Sequence, residues 1–423
     1  MKNNRVMKVV LVCNSDLTGG AAVVTHRLMA ALRDQGVEAT MLVMNKAGDD
    51  LDVHVMGSAL GRKLRFVGER AYIFAHNGFN RTDLFKVSMA NTGFDISRHR
   101  LVKEADAVIL SWVNQGLLSL KGVKRLVDSG KRVLWVMHDM WCMTGCCHHA
   151  LDCEGYMTEC GHCRYIKDGA VDNDLSRLGW RRKKNLYGYC PGLTMVAVSN
   201  WLAGCAGRSS LLSGHDVRVI PNVFPDKIFY IEPRGIELPH GIDLSKRLIV
   251  MGAARLDDPI KDFPTAIAAL NFLAEKRQDI VGSCQAVFYG DLRDRSLLDR
   301  LSFPHVHIGR IADAQVLREL FSRADVVLST SLFETLPGTI IEGMAGGCTA
   351  VTTGNGGQRD IVDDGVSGYI TSSNPEDIAG ALSRAIDNPC DRFNQHEIIA
   401  ERFGAESVAL KFLECIRAGS KGR

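Results

Sequence analysis

Short apolar segments rich in Val, Ile and Leu recur along the whole chain, and helical patterns separate them. In the first half they are MKVVLVCNS (7–15), EATMLVMN (38–45), ADAVILSW (105–112), RVLWVMHD (132–139) and LTMVAVSN (193–200). In the second half they are RLIVMGAA (247–254), CQAVFYGD (284–291), VHIGR (306–310), ADVVLST (324–330) and CTAVTTG (348–354). Strands covered by helices on both faces have this composition, so each half is predicted to be α/β with a parallel sheet.

A proline-rich stretch separates the two halves. Four of the eleven prolines fall within nineteen positions, namely Pro221, Pro225, Pro233 and Pro239. Because proline disrupts helices and central strands, this stretch predicts a boundary between a first domain at 1–222 and a second at 223–404. Ligands of open α/β sheets bind outside the carboxyl ends of the strands, so we expect the site in a cleft between the domains.

Bulk composition excludes several classes of protein. The net charge of +3 is too small to indicate a nucleic-acid-binding protein. No apolar run approaches the roughly 18 residues of a membrane-spanning helix, and the N-terminal segment is expected to be a first strand rather than a signal peptide. We therefore expect a cytoplasmic protein, in which the 13 cysteines are thiols or metal ligands before they are disulfides.

Five motifs along the chain resemble those of the retaining glycosyltransferases of family 4. They are TGGAAVVTHRL (18–28), HDMW (138–141), IPN (220–222), GAARLDDPIKDF (252–263) and FETLPGTIIEGMAGG (333–347). The resemblance implies the GT-B fold, in which two Rossmann-like domains face each other, and a C-terminal helix at 405–423 that packs back on the first domain. It also implies transfer of a sugar from a UDP- or GDP-sugar with retention of configuration and without a catalytic metal ion.

The second domain carries the expected donor site. Arg255 and Lys261 resemble the family's diphosphate-binding pair, which would stabilise the negative charge that grows on the leaving group. By the same resemblance Glu334 contacts hydroxyls of the donor sugar and Glu342 contacts the ribose. The turn between them is formed by Leu336, Pro337, Gly338 and Thr339. Its N–H groups at a helix N-terminus, with Pro337 in the first turn, are expected to bind the diphosphate.

The first domain contributes a histidine and a glycine pair. His138 ends the segment RVLWVMHD, and the resemblance places it beside the donor sugar near the reacting carbon. Gly19 and Gly20 form the first strand-to-helix turn, where the absent side chains let the backbone approach the donor or the acceptor. Asp50/Asp52 and Asp172/Asp174 form Asp-x-Asp pairs in polar stretches, and neither pair is expected to hold a catalytic metal.

A cysteine-rich segment follows at 144–163. The C-x-x-C pair Cys160 and Cys163 is a frequent half-site of structural zinc, and Cys147 and Cys153 are the best candidates for the other half. A related subgroup of the family, which makes bacterial surface polysaccharides, carries a similar segment. We predict a structural zinc here, with free thiols or disulfides and an iron–sulfur cluster as alternatives.

Two basic stretches, 61–74 and RRKK at 181–184, fit a protein that associates peripherally with the inner membrane face, although solvated helix faces would look the same. The acceptor is expected to be a growing surface glycan or a lipid-linked precursor. The alternatives are a nucleotide-sugar 2-epimerase of the same architecture and a zinc-stapled binding module. The pattern of Arg255, Lys261 and two glutamates favours the transferase.

Overall fold

Two parallel sheets form the framework of the chain, as the recurring apolar segments predict. The computed structural model describes residues 5–166, 172–188, 190, 192–224 and 230–418, so Pro225 lies outside the described part. The chain divides into an N-terminal unit, Met1–Val223 with Ala405–Arg423, and a C-terminal unit, Phe224–Gly404.

The N-terminal unit contains a seven-stranded sheet. Its strands are β1 (Lys8–Ser15), β2 (Glu38–Asn45), β3 (Val53–Val55), β4 (Ala107–Leu110), β5 (Arg132–Met137), β6 (Leu193–Ala197) and β7 (Val217–Val219). The strand order is β3-β2-β1-β4-β5-β6-β7, and neighbouring strands pair in parallel. The helices are α1 (Gly20–Asp34), α2 (Ala59–His76), α3 (Arg100–Glu104), α4 (Leu120–Asp128), α5 (Leu175–Tyr187) and α6 (Asn200–Arg208).

The C-terminal unit contains a six-stranded sheet. Its strands are β8 (Arg247–Arg255), β9 (Cys284–Asp291), β10 (His305–His307), β11 (Val326–Ser329), β12 (Thr349–Thr353) and β13 (Gly368–Thr371). The order is β10-β9-β8-β11-β12-β13, again parallel. The helices are α7 (Phe263–Lys276), α8 (Gln278–Ser283), α9 (Ala314–Arg323), α10 (Gly338–Ala345), α11 (Pro375–Asp387) and α12 (Arg392–Phe403).

The last helix, α13 (Ala405–Ala418), belongs to the N-terminal unit and packs against α1. Its buried face includes Val408, Phe412 and Ile416. None of the helices in the described ranges is long and apolar enough to cross a membrane.

Each sheet reverses its strand order at one position, between β1 and β4 in the N-terminal unit and between β8 and β11 in the C-terminal unit. Ligands of doubly wound sheets bind at the carboxyl ends of the strands beside such a reversal. These two edges are therefore the places to look for a site in each unit.

Candidate active site

The carboxyl ends of β1, β4 and β5 border a cavity of about 590 Å³ in the N-terminal unit. Gly19, Gly20 and His138, which the sequence singled out, all line it. Its polar lining also includes Asn14, Thr18, Asn45, Trp112, Gln115, Asp139 and His149. The volume lies within the range of about 300–1,000 Å³ that is typical of small-ligand sites.

The glycine pair opens the backbone towards this cavity. Gly19 has φ = 93°, a left-handed conformation that favours glycine, and a Cβ added at Gly19 or Gly20 would meet no heavy atom within 4 Å. Gly19 precedes α1 as its N-cap and offers no side chain to its first N–H groups. The turn therefore has room for a ligand, and the positive end of the α1 dipole lies beside it.

His138 is held by a chain of hydroxyl groups. Thr25 Oγ1 donates its single proton to Ala21 O (2.6 Å). The Thr25 hydroxyl oxygen therefore accepts from Ser111 Oγ, which lies 2.5 Å away. Ser111 Oγ therefore accepts from His138 Nε2 at 2.6 Å, which fixes the Nε2–H tautomer. Burial lowers the pKa of His138 to about 4, so the imidazole is neutral at pH 7.

A carboxylate network beside His138, centred on the largely buried Asp139, was not predicted from the sequence. Asp139 Oδ2 accepts from Trp112 Nε1 (3.0 Å) and from His148 Nδ1 (2.7 Å), and Oδ1 accepts from the Trp141 backbone N–H (2.8 Å). Burial alone would raise the pKa of Asp139, but the adjacent His148 holds it well below its usual range. The network fixes the indole ring of Trp112 at the cavity wall. The only sequence signal for it is the Asp of HDMW followed nine residues later by a histidine.

The cysteine-rich segment packs closely on α5. A Cβ at Gly179 would lie 2.1 Å from the carbonyl oxygen of Gly145, so only glycine permits this approach. Gly145 N–H also donates to Cys160 Sγ (3.1 Å), and the Cys146 and Cys147 thiols donate hydrogen bonds to Cys163 and lower its pKa.

The predicted zinc ligands are not gathered into a metal site. Cys147 and Cys160 are buried, Cys163 is half-buried and Cys153 is exposed, and each of the thirteen cysteines is a free thiol. Over the described ranges no group of three or more His, Cys, Asp or Glu residues is arranged to hold a metal ion. The thiol contacts of Cys163 involve Cys146, which was not among the predicted ligands, and this differs from the expected pairing.

In the C-terminal unit Arg255 ends β8, at the strand reversal. Its guanidinium lies 3.4 Å from Asp257 Oδ1 and 3.2 Å from Asp258 Oδ2, and its side chain is 35% exposed. Asp257 is held in turn by the backbone N–H groups of Arg293 and Asp294, both at 3.1 Å. The cation is therefore positioned at the sheet edge while it stays accessible to an anionic ligand.

The structure brings together Lys261 and Glu334, which are 73 positions apart. Lys261 Nζ donates to Glu334 Oε1 in an ion pair. Thr330 Oγ1 anchors the lysine loop by donating to Lys261 O and Asp262 O, both at 3.0 Å. Glu334 is fixed from the other side because its carbonyl accepts from Gly357 N–H (2.9 Å). The sequence named both charged residues, but it did not predict that they pair.

Helix α10 begins directly after this loop. Pro337 is its N-cap rather than a residue of its first turn, and no side chain caps the helix. Gly338 and Thr339 therefore offer their N–H groups at the helix N-terminus, and their binding to a diphosphate stays a prediction. Leu336 is buried and anchors the turn.

Glu342 lies on the half-exposed side of α10, near the Tyr289 phenol. Burial and the Glu342 carboxylate raise the pKa of Tyr289 above its usual range. The Tyr289 ring covers Gly252, where a Cβ would lie 1.9 Å from the ring. This contact explains the glycine in the GAARLDDPIKDF motif.

Sequence reasoning also missed Gln358, which follows β12 in a glycine-rich loop. The residue is fully buried, and neither amide atom forms a hydrogen bond with any part of the chain that the structure describes. The neighbouring Gly356 forms a bridge with Glu334. A buried amide without partners next to the Glu334 loop is a candidate ligand contact.

Part of the chain matches a known protein family. Residues 245–388 match the family model described as glycosyl transferases group 1. The matched range contains Arg255, Lys261, Glu334 and Glu342. No curated protein sequence matches the chain.

Solved structures of glycosyltransferases match almost the whole chain. The chain is similar to Anabaena HepE in complex with UDP and glucose (17% identity, TM-score 0.61, 97% of this chain and 100% of that chain). It is also similar to a glycosyltransferase from Rickettsia africae (15% identity, TM-score 0.67, 99% of this chain and 100% of that chain). A third similar structure is that of a lipopolysaccharide outer core galactosyltransferase (17% identity, TM-score 0.60, 97% of this chain and 99% of that chain). At these identities the likeness concerns the fold, and it confirms the predicted GT-B class.

Proposed function

We propose that this chain is a glycosyltransferase that moves a hexose from a UDP-sugar to a surface glycan or its lipid-linked precursor with retention of configuration. Residues 245–388 match the family model described as glycosyl transferases group 1, which supports the proposal. The observation that carries the proposal is the arrangement of Arg255, Lys261 and the uncapped N-terminus of α10 around one sheet edge. These groups supply two cations and free backbone N–H groups for a diphosphate. The family match favours sugar transfer over the epimerase and the binding module.

The proposed chemistry needs no metal ion. The bond from the anomeric carbon to the diphosphate oxygen breaks, and its electron pair leaves with the diphosphate, where Arg255 and Lys261 stabilise the charge. The acceptor oxygen bonds to the same face of the sugar, and its proton passes to the departing phosphate oxygen. In this scheme Glu334 binds donor-sugar hydroxyls, and the neutral His138 accepts a hydrogen bond near the reacting carbon without adding a competing charge.

In this proposal the nucleotide of the donor is UDP. HepE, similar in fold, was solved in complex with UDP and with UDP-glucose. Glu342 on α10 is proposed to accept from the two ribose hydroxyls, as the resemblance implies. A charge-assisted hydrogen bond contributes about 1.5–3 kcal/mol, so this contact would supply a large part of the nucleotide affinity.

Thermal-shift titration with UDP, GDP and ADP, each with and without EDTA, tests the donor proposal. We expect UDP to raise the free energy of unfolding by about 2.7 kcal/mol at a hundredfold excess over its dissociation constant. Glu342→Gln is expected to weaken UDP binding about tenfold or more. Glu397→Gln, which changes an exposed glutamate of α12 in the same unit, should leave it unchanged. A stronger response to GDP, or a response lost in EDTA, would contradict the proposal.

The acceptor and the place of action are proposed from the surface of α2. Leu60, Leu64 and Val67 are 66%, 62% and 48% exposed, and their spacing puts them on one face of the helix. The arginines that made this stretch look basic are largely used internally, since Arg62 donates to Gly57 O (2.9 Å) and Arg65 to Gly61 O (3.0 Å). The exposed face is therefore more apolar than predicted, which supports binding to the cytoplasmic surface of a membrane.

Flotation with phosphatidylglycerol vesicles checks this surface. We expect the wild type to float, and Leu64→Asp to lower the affinity for the vesicles about tenfold or more because burial of a leucine contributes about 1.5–3 kcal/mol. Leu410→Asp is the matched control, since Leu410 is 47% exposed on α13 of the same unit. Recovery of all the wild-type protein in the soluble fraction would refute the membrane proposal.

Structural zinc on Cys147, Cys153, Cys160 and Cys163 stays a prediction. Its support is the spacing of the four cysteines, together with the fully buried Lys183. The Lys183 ammonium donates to Trp141 O and Thr144 O and forms no ion pair with any described carboxylate. The negative charge of a metal–thiolate centre would complement this cation. Metal analysis of the purified protein measures its zinc content directly.

A further inference from the structure

We propose that a second cavity of the N-terminal unit binds the phosphate or diphosphate of a lipid, with the hydrocarbon chain against its apolar wall. The cavity has a volume of about 710 Å³ and lies where α4 packs against α5. This inference rests on the proposed function, because it names the lipid-linked acceptor as the ligand. None of the residues assigned above to donor binding lines this cavity.

The rim of the cavity carries three cations. Lys121 is exposed on α4 and Arg182 is half-buried on α5, and neither forms a hydrogen bond or an ion pair with a described residue. Lys124 pairs with Asp128 one turn along α4, so it is partly neutralised. A half-buried guanidinium with no counter-ion among the described residues is suited to bind phosphate.

Two polar features point to the same anion. Ser119 lines the cavity as the N-cap of α4, so the positive end of this nine-residue helix lies at the cavity. Asn91 also lines it, and its buried side-chain oxygen has no partner among the described residues. A buried polar atom without a partner beside a cavity is a candidate contact for a bound ligand or an ordered water.

The wall of the cavity is apolar, which favours an anion that carries a hydrocarbon chain. Ala90, Leu120 and Leu186 form this wall, and no aromatic side chain lines the cavity. A nucleotide base or a sugar ring would call for an aromatic platform or for paired polar groups. Cations beside aliphatic side chains fit a phosphate that is attached to a hydrocarbon chain.

The backbone connects this cavity to the buried side of α2. Glu69 of α2 accepts from the N–H groups of Met89 and Ala90, both at 2.8 Å. Ala90 O in turn accepts from Leu120 N–H at the start of α4 (3.0 Å). The buried side of α2 and the wall of the cavity are therefore joined through residues 89 and 90.

Calorimetric titration with farnesyl diphosphate, inorganic diphosphate and farnesol tests the proposal. We expect farnesyl diphosphate to bind at least about tenfold more tightly than either fragment, because it alone offers both the anion and the chain. The double variant Lys121→Ala/Arg182→Ala should bind farnesyl diphosphate about tenfold more weakly than the wild type does. Lys103→Ala, an exposed lysine of α3, should have no effect.

Three outcomes would overturn the inference. One is equal affinity for farnesyl diphosphate and inorganic diphosphate, and another is unchanged affinity in the double variant. The third is full displacement by an equal concentration of a short-chain phosphatidylglycerol, which would make the cavity a site for bulk membrane lipid. UDP binding, measured on the same samples, reports the donor site and the fold separately, so failure of the lipid site and failure of the proposed function are distinguishable.

Discussion

Lys261→Ala is expected to lower the turnover number by two to three orders of magnitude while the protein stays folded. A positioned donor aimed at developing negative charge is worth about 3–4 kcal/mol in the transition state. Lys261 is ion-paired with Glu334, and both side chains reach solvent at 30% and 18% exposure. Removal of an ammonium group at an accessible ion pair costs little stability, so the loss should appear in the chemical step. The rate at which UDP is released from the donor sugar measures the turnover number.

Arg402→Ala is the matched control for this variant. Arg402 pairs with Asp363 on the surface of the same unit, at 37% and 47% exposure, and it lies outside the proposed donor site. We expect its turnover to stay within about twofold of the wild type, as for a surface ion pair. A fall of less than about tenfold in Lys261→Ala would show that the lysine does not stabilise the leaving group.

The alternation of strands and helices was predictable because burial on both faces imposes a composition that is visible in the sequence. The segments at 7–15, 38–45 and 284–291 coincide with β1, β2 and β9 to within a residue. The edge strand β10 is shorter than VHIGR suggested, because an edge strand pairs on one side and its apolar pattern continues into the following loop.

The contacts between distant residues were not predictable from patterns. The charges of Lys261 and Glu334 are visible in the sequence, but their pairing depends on how the loops after β8 and β11 approach each other. The run RRKK looked like four solvated charges, yet Lys183 is fully buried and donates to two backbone carbonyls. A local pattern states which residue types are present, and the tertiary packing decides which of them face solvent.

The His138 side chain is expected to make the N-terminal unit less stable as the pH falls from 6.5 to 4. Its pKa is about 4 in the folded chain and about 6.5 in the unfolded chain, so the unfolded chain binds the extra proton in this window. The stabilisation is complete above the unfolded pKa and is lost progressively towards pH 4, with a total of up to about 3 kcal/mol. Tryptophan fluorescence in urea reports it, because all five tryptophans lie between positions 112 and 201 of this unit.

His138→Gln isolates the contribution of this side chain. Glutamine keeps an N–H donor for Ser111 but does not titrate, so its unfolding midpoint should fall less steeply between pH 6.5 and 4. His99 and His215 also have pKa values lowered by burial, and Asp139 titrates only below this window, so the difference between the two proteins is the quantity to compare. Equal pH slopes in the wild type and the variant would mean that His138 is charged as readily in the folded chain as in water. The neutral hydrogen-bonding role beside the donor sugar would then fail, because an imidazolium at that position would oppose the positive charge that develops on the anomeric carbon.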